Sequence, residues 1–325
     1  MKIIFAGTPS FAAFHLKLLL NSKHELAAVL TQPDRPSGRG GKPKPSPVKL
    51  LAEENQLQIL QPESLKNNKE IIAVLEALKP DLILVVAYGL ILPKDFINLP
   101  KLGCINVHAS LLPKWRGAAP IERSILEGDL EGGLTYMEMD EGLDTGPIMK
   151  LIPCPISSKE NSESLEKKYE YLSSQELLNF LESLSSRGVE KLKQNSSIAT
   201  YANKIEKQET EIFWESESCE SIERKVRGLY PKYGAFTFLG KLRVKILTAI
   251  IDNEEIYALP GEIKITEEHN LYAGCIEGKA IKILSLQVEG KKAISSEDFI
   301  RGNKERLNKQ KKFTSSLEKN SKDHK

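Results

Sequence analysis

The chain has 325 residues, 40% hydrophobic and 28% charged, with a formal net charge of +2. That length favours two domains with a sizeable core, and no apolar run approaches the roughly 20 residues a membrane helix requires. The four cysteines, Cys104, Cys154, Cys219 and Cys275, are scattered without a C-x-x-C, which fits reduced thiols in a cytoplasmic protein and weighs against a disulfide framework or a zinc site.

The opening MKIIFAGTPSF enters a strand directly, without the apolar core or cleavage site of a signal peptide. Lys2–Ala6 predicts that strand. Ser10 can cap a helix in which Phe11, Phe14 and Leu18 share one face. Leu26–Leu30 predicts a second strand, and Ser46-Pro47 is a good helix start, with serine at the cap and proline at the first position. Leu57–Leu60, a helix over Ile71–Leu78, and the strand Asp81–Ala87 continue the alternation. DLILVVA is apolar on both faces, as a central parallel strand should be. Ile105–Val107 follows as a strand, with a helix over Ala118–Leu126 behind it. The pattern predicts an α/β fold with a Rossmann-like, mostly parallel sheet.

A polar helix over 161–184 leads out of this domain, and residues 186–206 have little periodicity and read as a linker. Short alternating segments then follow: Gly234–Phe238, Leu242–Ala249, Gly261–Thr266, Asn270–Cys275 and Ala280–Gln287. They predict a small OB-like β-barrel. The division is therefore 1–186 catalytic, 187–206 linker, 207–302 β-barrel, and 303–325 a basic, disordered tail. Charge is uneven: residues 31–49 carry five Lys or Arg against one acid, and residues 301–325 carry nine against three. Such segments suit a polyanionic partner.

The chemistry centres on INVHASLLPKWRGAAP, residues 105–120. Asn106 and His108 stand two apart on a strand, so they project to one side at the end where open sheets bind ligands. A lone histidine is more often bonded within a loop, and His15, His24, His269 and His324 read that way. His108 differs because Asp144, in the glycine- and acid-rich MDEGLDTGP, supplies a carboxylate that can fix its tautomer. Ser110 lacks a nucleophile elbow, Gly7-Thr8-Pro9 lacks the dinucleotide glycines, and no second histidine stands at metal-ligand spacing. An amide, an imidazole and a carboxylate suit acyl transfer between nitrogens. The amine attacks directly, the amide and imidazolium stabilise the oxyanion, and the carboxylate supports them.

These residues carry a resemblance. An Asn-x-His pair followed by Ser110-Leu111-Leu112-Pro113 resembles the folate-dependent formyltransferase family. KWRGAAP (114–120), GLTYMEMDEGLDTGP (133–147), AYGLILPK (87–94) and the basic insertion over 31–49 are similar to the members that act on methionyl-tRNA. TYANKIEKQETEIFW (200–214) and ILSLQVEGKKAISSEDFIRG (283–302) extend the likeness into the second half. The resemblance implies the formyltransferase fold, 10-formyltetrahydrofolate as donor with no metal, and the α-amine of methionyl initiator tRNA as acceptor. It implies catalytic roles for Asn106, His108 and Asp144, and a folate site at Ser110, Leu111, Leu112 and Pro113. It places tRNA contacts at Arg39, Lys42 and Lys44, with a monomer acting in the cytoplasm and no membrane. Ala109, Glu138 and Pro231-Lys232-Tyr233 depart from the family's usual residues, the last within the predicted tRNA-gripping domain. A small-acceptor formyltransferase of the same fold and a catalytically silent RNA-binding protein are the competing readings.

Overall fold

The computed structural model describes residues 1–36, 43–252 and 254–316. It forms two compact units, one from residues 1–120, 130–155 and 166–203, the other from 121–129, 156–165 and 204 onward.

The first unit is built on a seven-stranded sheet. Its strands are β1 (Lys2–Gly7), β2 (Glu25–Leu30), β3 (Ile59–Leu60), β4 (Leu82–Val86), β5 (Cys104–His108), β6 (Glu131–Glu138) and β7 (Ile148–Pro155). The spatial order is β7-β6-β5-β4-β1-β2-β3. Pairing is parallel from β3 to β5 and antiparallel where β6 meets β5 and β7. The alternation read from the sequence is thus present, with an antiparallel edge added. All five residues of β4 and of β5 are buried, as apolar or paired central strands require. Because β1, β4 and β5 run the same way, Gly7, Val86 and His108 end together at one edge of the sheet. Strand order reverses between β1 and β4, and there the Tyr88 carbonyl accepts hydrogen bonds from Thr8 Oγ1 (3.0 Å) and Gln32 Nε2 (2.9 Å).

Local signals differ in their outcome. Ser46 caps α2 (Pro47–Glu54) as expected, its hydroxyl accepting from the Lys49 amide at 3.0 Å. Ser10 does not cap α1 (Ser10–Leu20); it is the first helical residue, after Pro9. His15 on α1 is fully buried between Phe11 and Phe14, and its Nδ1–H donates to the Phe11 carbonyl at 2.7 Å. The 26-residue helix Ser162–Arg187 sends Tyr169 and Ser173 to β6, where they bond the Gly133 amide and the Tyr136 hydroxyl.

In the second unit an antiparallel sheet takes the strands in the order 235–239, 242–250, 280–288, 271–274, 263–265, with 293–295 pairing beside 280–288. It is a curled half-barrel carrying the predicted short strands. Past Gly302, where disorder was expected, the chain forms the helix Lys304–Lys309 and then an extended segment. That segment bonds both edges of the sheet. Ile263 and Phe313 exchange amide–carbonyl bonds with Lys311 and Gly261 on one side, and Thr314 does so with Phe238 on the other. Phe313 is fully buried and stacks on Trp214, ring centroids 5.8 Å apart. The reason is geometric: two sheet edges with unpaired backbone groups need one more strand between them, and the lysines at 309, 311 and 312 mask that role in the sequence. All four cysteines are buried and free.

Two expectations follow. Phe313→Ala should destabilise the full chain by about 3–5 kcal/mol, read from the urea midpoint followed by tryptophan fluorescence. Burial pushes the His15 imidazole down from its ordinary 6.5 to about 4, only partly opposed by the Phe11 carbonyl. Between those values the unfolded chain binds a proton that the folded chain refuses, so the site's stability is complete above pH 6.5 and lost as pH falls toward 4. The loss is on the order of 3 kcal/mol. His15→Phe should flatten the drop in urea midpoint between pH 7 and pH 5 relative to the parent chain.

Candidate active site

β5 ends in Asn106 and His108, whose side chains leave the same side of the strand and are both buried. β6 and β7 carry between them the loop 139–147, and this loop returns Asp144 to the pair. Asn106 Nδ2 donates to Asp144 Oδ1 at 3.1 Å, and the Gly117 amide donates to Oδ2 at 2.9 Å. His108 Nδ1 lies 3.7 Å from the same Oδ2. The carboxylate is about one-tenth exposed, so these donors replace the water it has lost.

The imidazole is held from its other side. His108 Nε2 lies 2.8 Å from the Trp115 carbonyl, which can only accept, so Nε2 carries the hydrogen. In the neutral ring Nδ1 is then an acceptor facing Asp144; protonated, it becomes a donor beside an anion. One amide hydrogen of Asn106 and the Nε2–H of His108 are already bonded within the protein, leaving the second amide hydrogen and the Nδ1 edge.

The stretch 110–113 is partly structural. The Ser110 hydroxyl donates to the Lys114 carbonyl at 2.5 Å, and its own carbonyl accepts from Thr135 Oγ1 at 2.6 Å. Leu112 is buried with Met137 and Ile148, and its amide donates to Thr135 Oγ1 at 3.0 Å. Leu111 and Pro113 remain partly exposed. Lys44 is exposed in the short pairing of Arg35–Pro36 with Pro43–Lys44. Arg39 and Lys42 lie outside the described residues.

Residues 187–203, read from the sequence as linker, belong to the first unit and shape this site. Tyr201–Ala202 pairs in parallel with Arg116–Gly117. Thr200 Oγ1 accepts the Trp115 amide at 2.9 Å, and the Ala202 carbonyl accepts the Ala118 amide at 2.8 Å. A Cβ on Gly117 would stand 2.8 Å from the Ala202 carbonyl oxygen, and its φ of +123° is one that glycine alone holds easily. Gln194 reaches further, donating from Nε2 to the carbonyls of Asp144 (2.8 Å) and Gly146 (2.7 Å). Its Oε1 accepts from the buried Arg116 guanidinium at 2.8 and 3.0 Å. Gln194, Thr200 and Gly117 were missed in the sequence. No periodicity surrounds the first two, and a backbone amide leaves no sequence signature. A cavity of about 400 Å³ at the opposite end of β5, beside Gly103, Cys104, Glu138 and Lys191, includes none of the predicted site residues. Among the described residues, no three His, Cys, Asp or Glu side chains are grouped as a metal would need.

Comparison with known proteins identifies the family. Residues 1–181 match the family model described as Formyl transferase, and residues 204–304 match Formyl transferase, C-terminal domain. A methionyl-tRNA formyltransferase of Legionella pneumophila (strain Paris) is 43% identical over 94% of this chain and 97% of the relative. One from Pseudomonas fluorescens is 45% identical over 94% of this chain and 95% of the relative. Among solved structures, a sugar 3N-formyl transferase crystallised in the presence of dTDP and 5-N-formyl-THF has a TM-score of 0.65 at 20% identity, covering 90% of this chain and 99% of that one. The methionyl-tRNA formyltransferase of Clostridium thermocellum has a TM-score of 0.57 at 19% identity, covering 91% and 99%. With both halves matched in order and relatives aligned nearly end to end, the chain belongs to the formyl transferase family, on the branch of the methionyl-tRNA formyltransferases.

Proposed function

We propose that this protein transfers the formyl group of 10-formyltetrahydrofolate to the α-amine of methionyl initiator tRNA, with Asn106, His108 and Asp144 as the catalytic set. The observation that carries the reading is the convergence of the Asn106 amide, the His108 imidazole and the Gly117 amide on one buried carboxylate at the ligand-binding end of β5. The folate supplies an activated formyl group. An α-amine with a pKa of roughly 7.7–8.0 is partly neutral at cellular pH, so no strong base is required.

The residues divide the remaining work. The second amide hydrogen of Asn106 has no protein partner among the described residues, and it donates to the oxygen that gains charge as the amine adds to the formyl carbon. His108 takes up the proton released by the attacking amine at Nδ1. The adjacent Asp144 stabilises the imidazolium, and that proton is then available to the departing folate nitrogen. The Trp115 carbonyl, by accepting from Nε2–H, keeps the hydrogen on the far side of the ring and leaves Nδ1 with the free lone pair. Leu111 and Pro113, the partly exposed members of their stretch, line the folate side. The turn Ala87-Tyr88-Gly89, where Ala87 and Gly89 take positive φ, borders it at the switch point of the sheet. The reading takes the enzyme as a monomer that meets charged tRNA in the cytoplasm.

The basic segment around Arg39, Lys42 and Lys44 would meet tRNA phosphates, a contact for which lysine and arginine suit through charge alone. End-to-end likeness to methionyl-tRNA formyltransferases, together with a matched C-terminal domain, favours this acceptor over a nucleotide sugar.

Formyl transfer from 10-formyltetrahydrofolate to charged initiator tRNA is the direct test; preference for uncharged tRNA, free methionine or an amino sugar would overturn the reading. His108→Ala should reduce single-turnover transfer by about 10²-fold or more while tRNA affinity, measured by filter binding, stays near that of the parent. Parallel loss of both would make the histidine structural. The double variant Lys42→Ala/Lys44→Ala should raise the KM for tRNA and make the slope of log affinity against log salt shallower by about one to two, with an unchanged slope counting against the basic segment.

A further inference from the structure

We propose that Gln194 is a positioning residue for transfer, acting through Asp144. The inference rests on the catalytic role of Asp144 proposed above and adds a residue from the segment 187–203. Asp144 sits at φ +52°, in the left-handed region. Aspartate takes that conformation more readily than most non-glycine residues, and here its surroundings hold it there. The imposing contact is the Gln194 amide, whose Nε2 donates to the carbonyls of both Asp144 and Gly146. Gly146 in turn packs its backbone against the end of β6, where a Cβ would stand 1.9 Å from the Glu138 carbonyl oxygen.

The orientation of that amide is dictated by what surrounds it. Carbonyls only accept and a guanidinium only donates, so the amide must turn its NH2 to the loop and its oxygen to Arg116. Arg116 is 2% exposed, and no carboxylate pairs with it among the described residues. Its charge is met instead by Gln194 Oε1 and by Ser196 Oγ at 3.4 and 3.5 Å. A cation donating twice to the amide oxygen polarises the amide and strengthens the donors on its other end. The backbone of Arg116 is bonded to Thr200, and Thr200 also holds Trp115, whose carbonyl receives His108. One segment therefore fixes the main chain behind both members of the His108–Asp144 pair.

Gln194→Glu is the informative variant. It preserves shape and meets Arg116 with a carboxylate, while turning an acceptor toward two carbonyl oxygens that need a donor. Its kcat should fall on the order of 10²-fold, the cost of a misplacement near 1 Å, with KM for tRNA and for the formyl donor changed less than about threefold. The decisive measurement is a cycle with Asp144→Asn: once the carboxylate is gone, Gln194→Glu should cost nothing further in single-turnover rate. Multiplicative losses in the double variant, or a Gln194→Glu enzyme within twofold of the parent, would overturn the inference while leaving the role of Asp144 intact. Near-parental activity of Asp144→Asn alone would instead overturn the catalytic reading. If Gln194→Glu does not fold, Arg116→Lys keeps the buried cation but gives Oε1 one donor in place of two. Its loss must likewise vanish in the Asp144→Asn background, and additivity there overturns the proposal.

Discussion

The carboxylate of Asp144 is almost wholly removed from water, and the first unit is arranged around supplying what it lost. An isolated buried carboxylate costs several kcal/mol unless donors meet it. Here two come from separate stretches, the Asn106 amide on β5 and the backbone amide of Gly117, while His108 Nδ1 stands 3.7 Å from the carboxylate and Gln194 donates to the carbonyl of the same residue. Each stretch is itself anchored. Asn106 and His108 sit in the centre of the sheet, Gly117 is paired with Ala202, and Gln194 is oriented by Arg116. Rigid elements on every side give the site the positional precision that acyl transfer requires.

The antiparallel edge of the sheet is part of the same arrangement. β6 pairs His108 with Thr135 and Asn106 with Met137, so the hairpin of β6 and β7 is registered directly against β5. Thr135 exploits that register: its hydroxyl donates to the Ser110 carbonyl and accepts the Leu112 amide, fixing the turn that follows His108. The loop between β6 and β7 can then deliver Asp144 to a target whose position is already set. A parallel crossover in that place would need a dozen or more residues and a covering helix.

The second unit shows a parallel solution to a different problem. A curled sheet with two open edges exposes unpaired amides and carbonyls, and residues 311–314 satisfy both edges at once while Phe313 fills the interior against Trp214. Lysines at 309, 311 and 312 keep the same segment highly charged in composition. Composition and structure part here because a closing strand is specified by the edges it joins, and one buried aromatic is enough to seat it.

The βα alternation, the apolar central strands, the Ser46 cap and the pairing of Asn106 with His108 were legible in the sequence. Each is set by neighbours within a few residues: by periodicity, by a cap, or by the alternation of side chains along a strand. The approach of Asp144 to that pair was legible as well, its glycine- and acid-rich loop offering a carboxylate to the imidazole. Only the tertiary structure decided that Nε2 of His108 is committed to Trp115, that Ser110 and Leu112 face inward, and that Gln194 and Thr200 belong to the site. Those contacts join residues 7 to 85 positions apart or engage backbone atoms that every residue carries. Local pattern cannot encode a partner brought close by the fold, and so the strap over 187–203 read as a linker until the sheet placed it.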